Sequence, residues 1–305
     1  PSSCLVLVSW LAVALAAAPR QVPVPPLVLV DVAVENADGQ PLTDLTKADF
    51  AIAAGGATPP IEFFAAGPEQ PLSLVLLFDA SASVNHVTRR DDGRMSIETW
   101  FVPRLTPRDR VHVGSFARQI AIGPPLAGNS KELLPVIRKA LDPREADTLG
   151  PSAIWDAVAA AVDALATTEG RRAVLLRTDG RATGNRLSME EAAALAAAAG
   201  VAVSVVGEDW EMTIQQDAQT GVRVRPGVAL ERMANITGGL YLPDRTIPPA
   251  PGAILARLLA ELHGRYTLGF APPIRDGKPH EFQIRVSRPG LTLRARRSYV
   301  APPEP

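Results

Sequence analysis

The sequence predicts an α/β protein in which a doubly wound, mostly parallel sheet is inserted into a small β-sandwich. The middle of the chain alternates continuous apolar runs with segments of helical periodicity, which is typical of a parallel sheet covered by helices on both faces. Both ends of the chain show instead the apolar/polar alternation of half-buried strands. Neither end is long enough to form a domain alone, so we expect the two ends to complete one sandwich.

Composition limits the classes of function. The chain has 305 residues, of which 47% are hydrophobic, and this is ample for a packed core. A formal net charge of -1 gives no basic field, and no basic stripe is interleaved with aromatic residues. We therefore expect a folded protein without a nucleic-acid partner.

The first 18 residues predict export. An apolar run from Cys4 to Ala18, interrupted by Ser9, fits the apolar core of a signal peptide better than a membrane span of about 20 residues. The alternative is an uncleaved N-terminal anchor, which would be the only membrane contact. Cys4 is the single cysteine, so a processed chain would form no disulfide. We expect a periplasmic, cell-surface or secreted location.

The sandwich is predicted from two separate segments, 27–66 and 265–300. In the first, Leu27 to Asn36 alternates valines with other residues, and Leu45 to Phe50 leads into a second short strand. In the second segment, three strands are separated by turns at Gly277 and Gly290. These strands are Tyr266 to Phe270, Glu281 to Val286 and Leu291 to Arg296.

The inserted domain is predicted at residues 70–264. Ile154, Val158 and Val162 lie on one face of a helix, and a second helix from Ser188 to Ala199 opens with Ser188 and Glu191 in capping-box spacing. Its sheet is predicted from four apolar runs. These runs are Leu72 to Phe78, Val111 to Phe116, Ala173 to Leu176 and Val201 to Val206.

The loop after the first of these strands carries the most informative motif. Asp79, Ser81 and Ser83 form a D-x-S-x-S sequence at the carboxyl end of a strand, where doubly wound sheets bind ligands. Three side-chain oxygens converging in a tight loop favour a hard cation such as Mg²⁺, with Ca²⁺ or Mn²⁺ as alternatives. One carboxylate and two hydroxyls leave much of the ion's charge uncompensated, which favours a carboxylate from a partner. The alternative is that Asp79 caps a helix and the serines are turn residues.

Two further segments carry hydroxyl and carboxylate side chains like those of the D-x-S-x-S sequence. Gly150 to Ala157 includes Ser152 just before a predicted helix, and Val174 to Gly180 is a strand followed by Thr-Asp-Gly with Asp179. Ser152 could instead cap the helix, and nearby Thr148 could provide the hydroxyl in its place. For Asp179 the alternative is an ordinary turn at the end of a strand.

In this order, the three segments resemble the metal-ion-dependent adhesion site of the von Willebrand factor A domain, with its D-x-S-x-S loop, Thr loop and Asp loop. The resemblance implies that Asp79, Ser81, Ser83, Ser152 and Asp179 hold a divalent cation, with Ser152 at the Thr position and Asp179 acting through water. The flanks resemble the bacterial VWFA-related domain family of exported proteins. The residues that carry this second resemblance include Val30, Asp31, Val32, Gly39, Leu42, Leu45, Tyr266, Thr267, Leu268, Gly269, Arg288, Pro289 and Gly290.

The resemblance implies a binding protein, and the sequence offers little for catalysis. A phosphoryl-transfer enzyme of the haloacid dehalogenase type would need a second Asp at position 81, where this chain has Ser81. A nucleophile elbow, an H-E-x-x-H pair and a Walker loop are all missing from the sequence. We expect no enzymatic activity and no small-molecule substrate. The two main hypotheses are a cation-dependent adhesion or protein-binding module and a structural scaffold with a silent metal site.

Candidate partner contacts lie around the predicted cation. His86 follows the D-x-S-x-S loop, Thr148 precedes Ser152, and Trp210 lies in the segment after the strand Val201 to Val206. Loops at such positions commonly carry recognition. The alternatives are a solvated loop for His86 and a loop without a role for Trp210. His112 lies in a predicted strand, where a structural role is expected.

Overall fold

A computed structural model describes residues 27–67, 70–81, 96–142, 150–207, 215–216, 223–224, 226–243 and 251–301. The predictions for the leader at residues 1–18 and for Ser83, His86, Thr148 and Trp210 lie outside these residues. In the part of the chain that is described, no helix combines the length and apolar character needed to cross a membrane.

Strands and helices are numbered in chain order. The strands are β1 (Val28–Glu35), β2 (Phe50–Ala54), β3 (Ile61–Ala65), β4 (Leu72–Asp79), β5 (Arg110–Phe116), β6 (Ile120–Ile122), β7 (Leu126–Ala127), β8 (Arg171–Thr178), β9 (Val201–Gly207), β10 (Gln215–Gln216), β11 (Arg223–Val224), β12 (Tyr241–Pro243), β13 (Tyr266–Phe270), β14 (Pro279–Val286), β15 (Thr292–Arg294) and β16 (Ser298–Val300). The α-helices are α1 (Leu133–Ala140), α2 (Ile154–Ala164), α3 (Met189–Ala199), α4 (Pro226–Thr237) and α5 (Pro251–Gly264), with shorter helical turns at Lys47–Asp49, Ile97–Phe101 and Val102–Arg104.

The central sheet is mostly parallel and has helices on both faces. Its strand order is β12-β9-β8-β4-β5-β6, with β7 also paired to β5, and only β6 and β7 run antiparallel. Every residue of the middle strand β4 is buried, as its continuous apolar run predicts. One apolar core packs α2, α3 and α4 on one face, and another packs α1 and α5 on the other. The doubly wound prediction is therefore confirmed.

The two ends of the chain form the β-sandwich together. One sheet has the order β15-β1-β13-β3 and the other β16-β14-β2, so each contains strands from both sides of the insertion. The valines of β1 point into the core between these sheets, where Val30 and Tyr266 lie with Phe50 and Phe282. The predicted alternation in β1 thus identifies its core face correctly.

Buried arginines join the sandwich to the inserted domain. Arg171, the first residue of β8, is 3% exposed, and its guanidinium donates to main-chain carbonyls at both connections between the domains. The acceptors are the carbonyl oxygens of Leu262 at 2.8 Å, His263 at 2.9 Å, Arg265 at 3.2 Å and Gln70 at 2.7 Å, together with that of Gly67. One side chain therefore fixes the end of α5 and the segment that leads into β4.

A group of ion pairs lies beside α5. Glu35 in β1 accepts two hydrogen bonds from Arg294 of β15, at 2.9 and 2.5 Å. Glu261 in α5 accepts from Arg265 at 2.8 Å, and both members of that pair are buried. Glu35 lies on the nominally polar face of β1, and it is buried because the inserted domain covers that end of the strand.

Candidate cation-binding site

The site is built around Asp79 at the carboxyl end of β4. Asp79 is 6% exposed, and its carboxylate accepts hydrogen bonds from three separate segments of the chain. Oδ1 accepts from the main-chain N–H of Ser81 at 2.9 Å. Oδ2 accepts from the hydroxyl of Ser152 at 2.8 Å and from the hydroxyl of Thr178 at 2.6 Å. The structure therefore brings Asp79, Ser81 and Ser152 together, as the sequence predicts.

Thr178 is a member of the site that the sequence analysis did not single out. It is completely buried as the last residue of β8, and its hydroxyl also accepts the N–H of Gly180 at 3.0 Å. Its position follows from strand register, because Phe78 pairs with Arg177 in the parallel ladder of β4 and β8. The next residues along, Asp79 and Thr178, are therefore neighbours. The threonine of the Thr-Asp-Gly motif could have identified Thr178 from the sequence.

The hydroxyl of Ser152 donates to Asp79 and does not cap the following helix. Helix α2 begins at Ile154 with Ala153 at the N-cap position, and no side chain caps it. The backbone of Ser152 is held by Thr183, whose hydroxyl accepts its N–H at 2.9 Å and whose own N–H donates to its carbonyl at 2.8 Å. With its backbone fixed in this way, the hydroxyl of Ser152 stays directed at Asp79.

Asp179 is completely buried and follows Thr178 directly. Its Oδ1 accepts the N–H of Arg181 at 3.0 Å, whereas Oδ2 accepts no hydrogen bond from the described residues and lies 3.7 Å from Arg181 Nε. Gly180 has φ +77°, a conformation that favours glycine, and this explains the third residue of the motif. Such a buried carboxylate oxygen can accept a further bond.

Burial raises the pKa of the Asp79 carboxyl above its usual range, and hydrogen bonds from the side chains of Ser81, Thr178 and Ser152 partly offset this effect. Ionisation of Asp79 therefore costs free energy in the metal-free protein. A bound divalent cation would compensate for that cost.

The donor set fits a hard cation. Its members are the carboxylates of Asp79 and Asp179 and the hydroxyls of Ser81 and Ser152, all of them oxygen ligands. The described residues contain no cluster of three or more His, Cys, Asp or Glu side chains that could hold a metal ion. That these residues bind a cation remains a prediction.

Asp156 anchors the loop that carries Asp179. Its buried carboxylate accepts the N–H groups of Arg186 and Leu187, at 3.1 and 2.9 Å, and Nε of Arg186 at 3.1 Å. Burial opposes ionisation, but these hydrogen bonds hold the pKa of Asp156 below its usual range. Asn185 adds a contact from its side chain to the N–H of Trp155 at 2.7 Å. The loop is therefore attached to the first turn of α2.

Replacement of Asp156 by Asn is expected to lower stability in a pH-dependent way. The pKa of Asp156 is lower in the folded state than in the unfolded state, where it is about 3.9. The contribution of its carboxylate to stability is therefore fully present above the unfolded-state pKa and is lost as the pH falls through the folded-state pKa. Urea unfolding in EDTA should show a less stable variant at neutral pH, by about 1–2 kcal/mol, and a shrinking difference towards the acid limit. A difference that is constant with pH would contradict this role.

His112 lies on β5, where a structural role is predicted, and its buried Nε2 has no hydrogen-bond partner in the described part of the chain. It is 6% exposed on β5, and its Nδ1 lies 2.8 Å from the carbonyl oxygen of Gly123.

Comparisons with known proteins give structural similarity only. No family model and no curated protein sequence matches this chain. Among solved structures, the chain is similar to the conserved hypothetical protein BatB from Bacteroides thetaiotaomicron, at 20% identity and TM-score 0.47, over 62% of this chain and 98% of that one. It is also similar to the pilus adhesin SpaC from Lactobacillus rhamnosus GG, at 12% identity and TM-score 0.49, over 76% of this chain and 40% of that one. It is similar as well to a von Willebrand factor type A structure from Catenulispora acidiphila, at 13% identity and TM-score 0.47, over 90% of this chain and 74% of that one.

Proposed function

We propose that this chain is an exported, non-catalytic binding protein whose inserted domain holds a divalent cation and uses it to bind a carboxylate of a protein partner. The observation that carries the proposal is the convergence of Ser81, Ser152 and Thr178 on the buried carboxylate of Asp79. Export is supported by the apolar run from Cys4 to Ala18.

The residues of the site would have different roles in binding the cation. Asp79 and Asp179 supply negative charge, and the hydroxyls of Ser81 and Ser152 supply neutral oxygen ligands, as Ser83 would from the same loop. Thr178 and Thr183 hold Asp79 and Ser152 in position. Bound Mg²⁺, Ca²⁺ or Mn²⁺ would supply an electrophilic centre at the surface. Because few carboxylates face the ion, an anionic partner oxygen would complete its coordination favourably.

A structural scaffold with a silent metal site is the second candidate. The observation that favours it is that hydroxyl donors already satisfy Asp79 without any ion. In that case these hydrogen bonds alone, without an ion, would hold the loops around Asp79 in place.

Thermal unfolding separates the two candidates. The protein is heated in EDTA and then in millimolar Mg²⁺, Ca²⁺ or Mn²⁺, and a ligand that binds only the folded state must raise the Tm. We expect a rise that depends on cation concentration and is lost in Ser81→Ala. Ser73→Ala is the matched control, because Ser73 is about as buried as Ser81 but lies at the opposite end of β4 and donates to the Glu169 carbonyl. An unchanged Tm with every cation would support the silent scaffold.

A further inference from the structure

Arg181 forms an ion pair with Asp179, one of the two candidate carboxylate ligands. Its main-chain N–H donates to Oδ1 of Asp179 at 3.0 Å, and its Nε lies 3.7 Å from Oδ2. The side chain of Asp179 is completely buried, whereas that of Arg181 is 37% exposed. One residue therefore faces both oxygens of Asp179, with a hydrogen bond to the first and a charge beside the second.

Asp79, the other candidate carboxylate ligand, is held by neutral groups. Its hydrogen bonds come from the N–H of Ser81 and from the hydroxyls of Ser152 and Thr178. A hydroxyl that donates its proton to a carboxylate still has lone pairs with which it can bind a metal ion. These contacts of Asp79 thus place no positive charge beside the cation position, whereas the contact of Asp179 with Arg181 does.

The backbone on both sides of Arg181 is fixed by hydrogen bonds. The N–H of Gly180 donates to the hydroxyl of Thr178 at 3.0 Å, and Thr183 exchanges hydrogen bonds with the main chain of Ser152. The Cα of Arg181 therefore stays beside the site. Its side chain is long and partly exposed, so the guanidinium can turn towards solvent without a change in the loop.

A cation and the guanidinium of Arg181 compete for the negative charge of Asp179. Like charges repel over a distance of about 10 Å at moderate ionic strength. A cation bound to Oδ2 of Asp179, directly or through water, would lie well inside that distance from Nε of Arg181. Cation binding must therefore weaken or break the ion pair between Arg181 and Asp179.

We propose that Arg181 is a built-in competitor of the cation, which pairs with Asp179 in the metal-free protein and so lowers the affinity of the site for divalent cations. The inference rests on the proposed function, because it concerns the affinity of the same site. The alternative is a purely structural ion pair, which would stabilise the loop after β8 without influence on cation binding. Removal of the guanidinium separates the two roles.

Calorimetric titration of the full chain with Mn²⁺ tests the proposal. Arg181→Gln should bind Mn²⁺ about threefold to tenfold more tightly than the wild type, because it removes the competing charge from a partly exposed position. Higher ionic strength should reduce this ratio. Arg181→Lys keeps the charge and should bind as the wild type does. Arg110→Gln is the matched control, because Arg110 is exposed at the opposite end of the neighbouring strand β5, and its Mn²⁺ affinity should equal that of the wild type.

Thermal unfolding gives a second readout. In EDTA, Arg181→Gln should have a lower Tm than the wild type, because Asp179 loses its ion pair. At a fixed Mn²⁺ concentration, the rise in Tm should be larger for Arg181→Gln than for the wild type. A purely structural ion pair would instead lower the Tm of the variant by the same amount in EDTA and in Mn²⁺.

Equal or weaker Mn²⁺ affinity of Arg181→Gln, compared with the wild type, would overturn the proposal and leave the cation site intact. An equal gain in Arg110→Gln would also overturn it, because net charge and not the ion pair would then be the cause. Binding by Arg181→Gln but not by the wild type would support the competitor and reject the cation-dependent function. Absence of binding in both proteins would overturn both.

Discussion

Replacement of Asp79 by Asn is expected to remove all cation-dependent stabilisation while leaving the metal-free fold intact. The variant loses the carboxylate on which the other site residues converge. At a cation concentration 100 times the Kd, the wild type should gain about 2.7 kcal/mol, and the variant should gain nothing. Calorimetric titration with Mn²⁺ and unfolding in urea measure the two quantities.

The metal-free variant should stay within about 1 kcal/mol of the wild type. The Asn oxygen can still accept the N–H of Ser81, and the hydroxyls of Ser152 and Thr178 can rotate to accept from the new amide. Burial opposes the charge of Asp79, so a neutral group of the same shape costs little. Asp109→Asn is the control, because Asp109 is buried at the opposite edge of the sheet beside His263 and should keep the cation response. Unaltered Mn²⁺ affinity in Asp79→Asn would refute the assignment of the site.

Replacement of Arg171 by Met is expected to destabilise the protein by about 3–5 kcal/mol. The variant leaves the carbonyl oxygens of Gly67, Gln70, Leu262, His263 and Arg265 without the donor that satisfies them. Buried carbonyls that lose a charged donor bear most of their desolvation penalty. Urea unfolding at neutral pH measures the loss.

Arg172→Met is the matched control, since Arg172 is adjacent on β8 and only partly buried. The Arg172→Met substitution should lower the free energy of unfolding by less than about 1 kcal/mol. Because Arg171 lies at the opposite edge of the sheet from Asp79, the folded Arg171→Met variant should keep its cation response. Equal destabilisation by the two substitutions would show that the carbonyl contacts of Arg171 contribute little.

The sequence predicted several elements whose signal is local, but not helices α1, α4 and α5. The continuous apolar run of β4, the valine alternation of β1 and the capping box at Ser188 and Glu191 each depend on neighbouring residues, and all three are present. The short strands β6, β7 and β16 were missed, because two or three residues carry too little periodicity to be recognised.

Contacts that depend on register or distant packing could not be predicted in this way. Thr178 reaches Asp79 only because β4 and β8, which are far apart in sequence, are adjacent in the sheet. The roles of Asp156 and Arg171 depend on main-chain groups more than 25 residues away, which no local pattern marks. The candidate metal ligands are a different case, because the sequence motifs locate these residues but only a cation titration tests whether they bind a cation.

The insertion of one domain into the other implies an order of folding. Val28 of β1 pairs with Phe270 of β13, so the sandwich closes only when the last quarter of the chain is present. Joining the ends of an unstructured loop of that length would cost about 5 kcal/mol in chain entropy. The folded middle domain removes that cost, because Arg171 holds Gly67 and His263 next to each other. During synthesis β1 therefore remains without its partner strand until the inserted domain and β13 have been made.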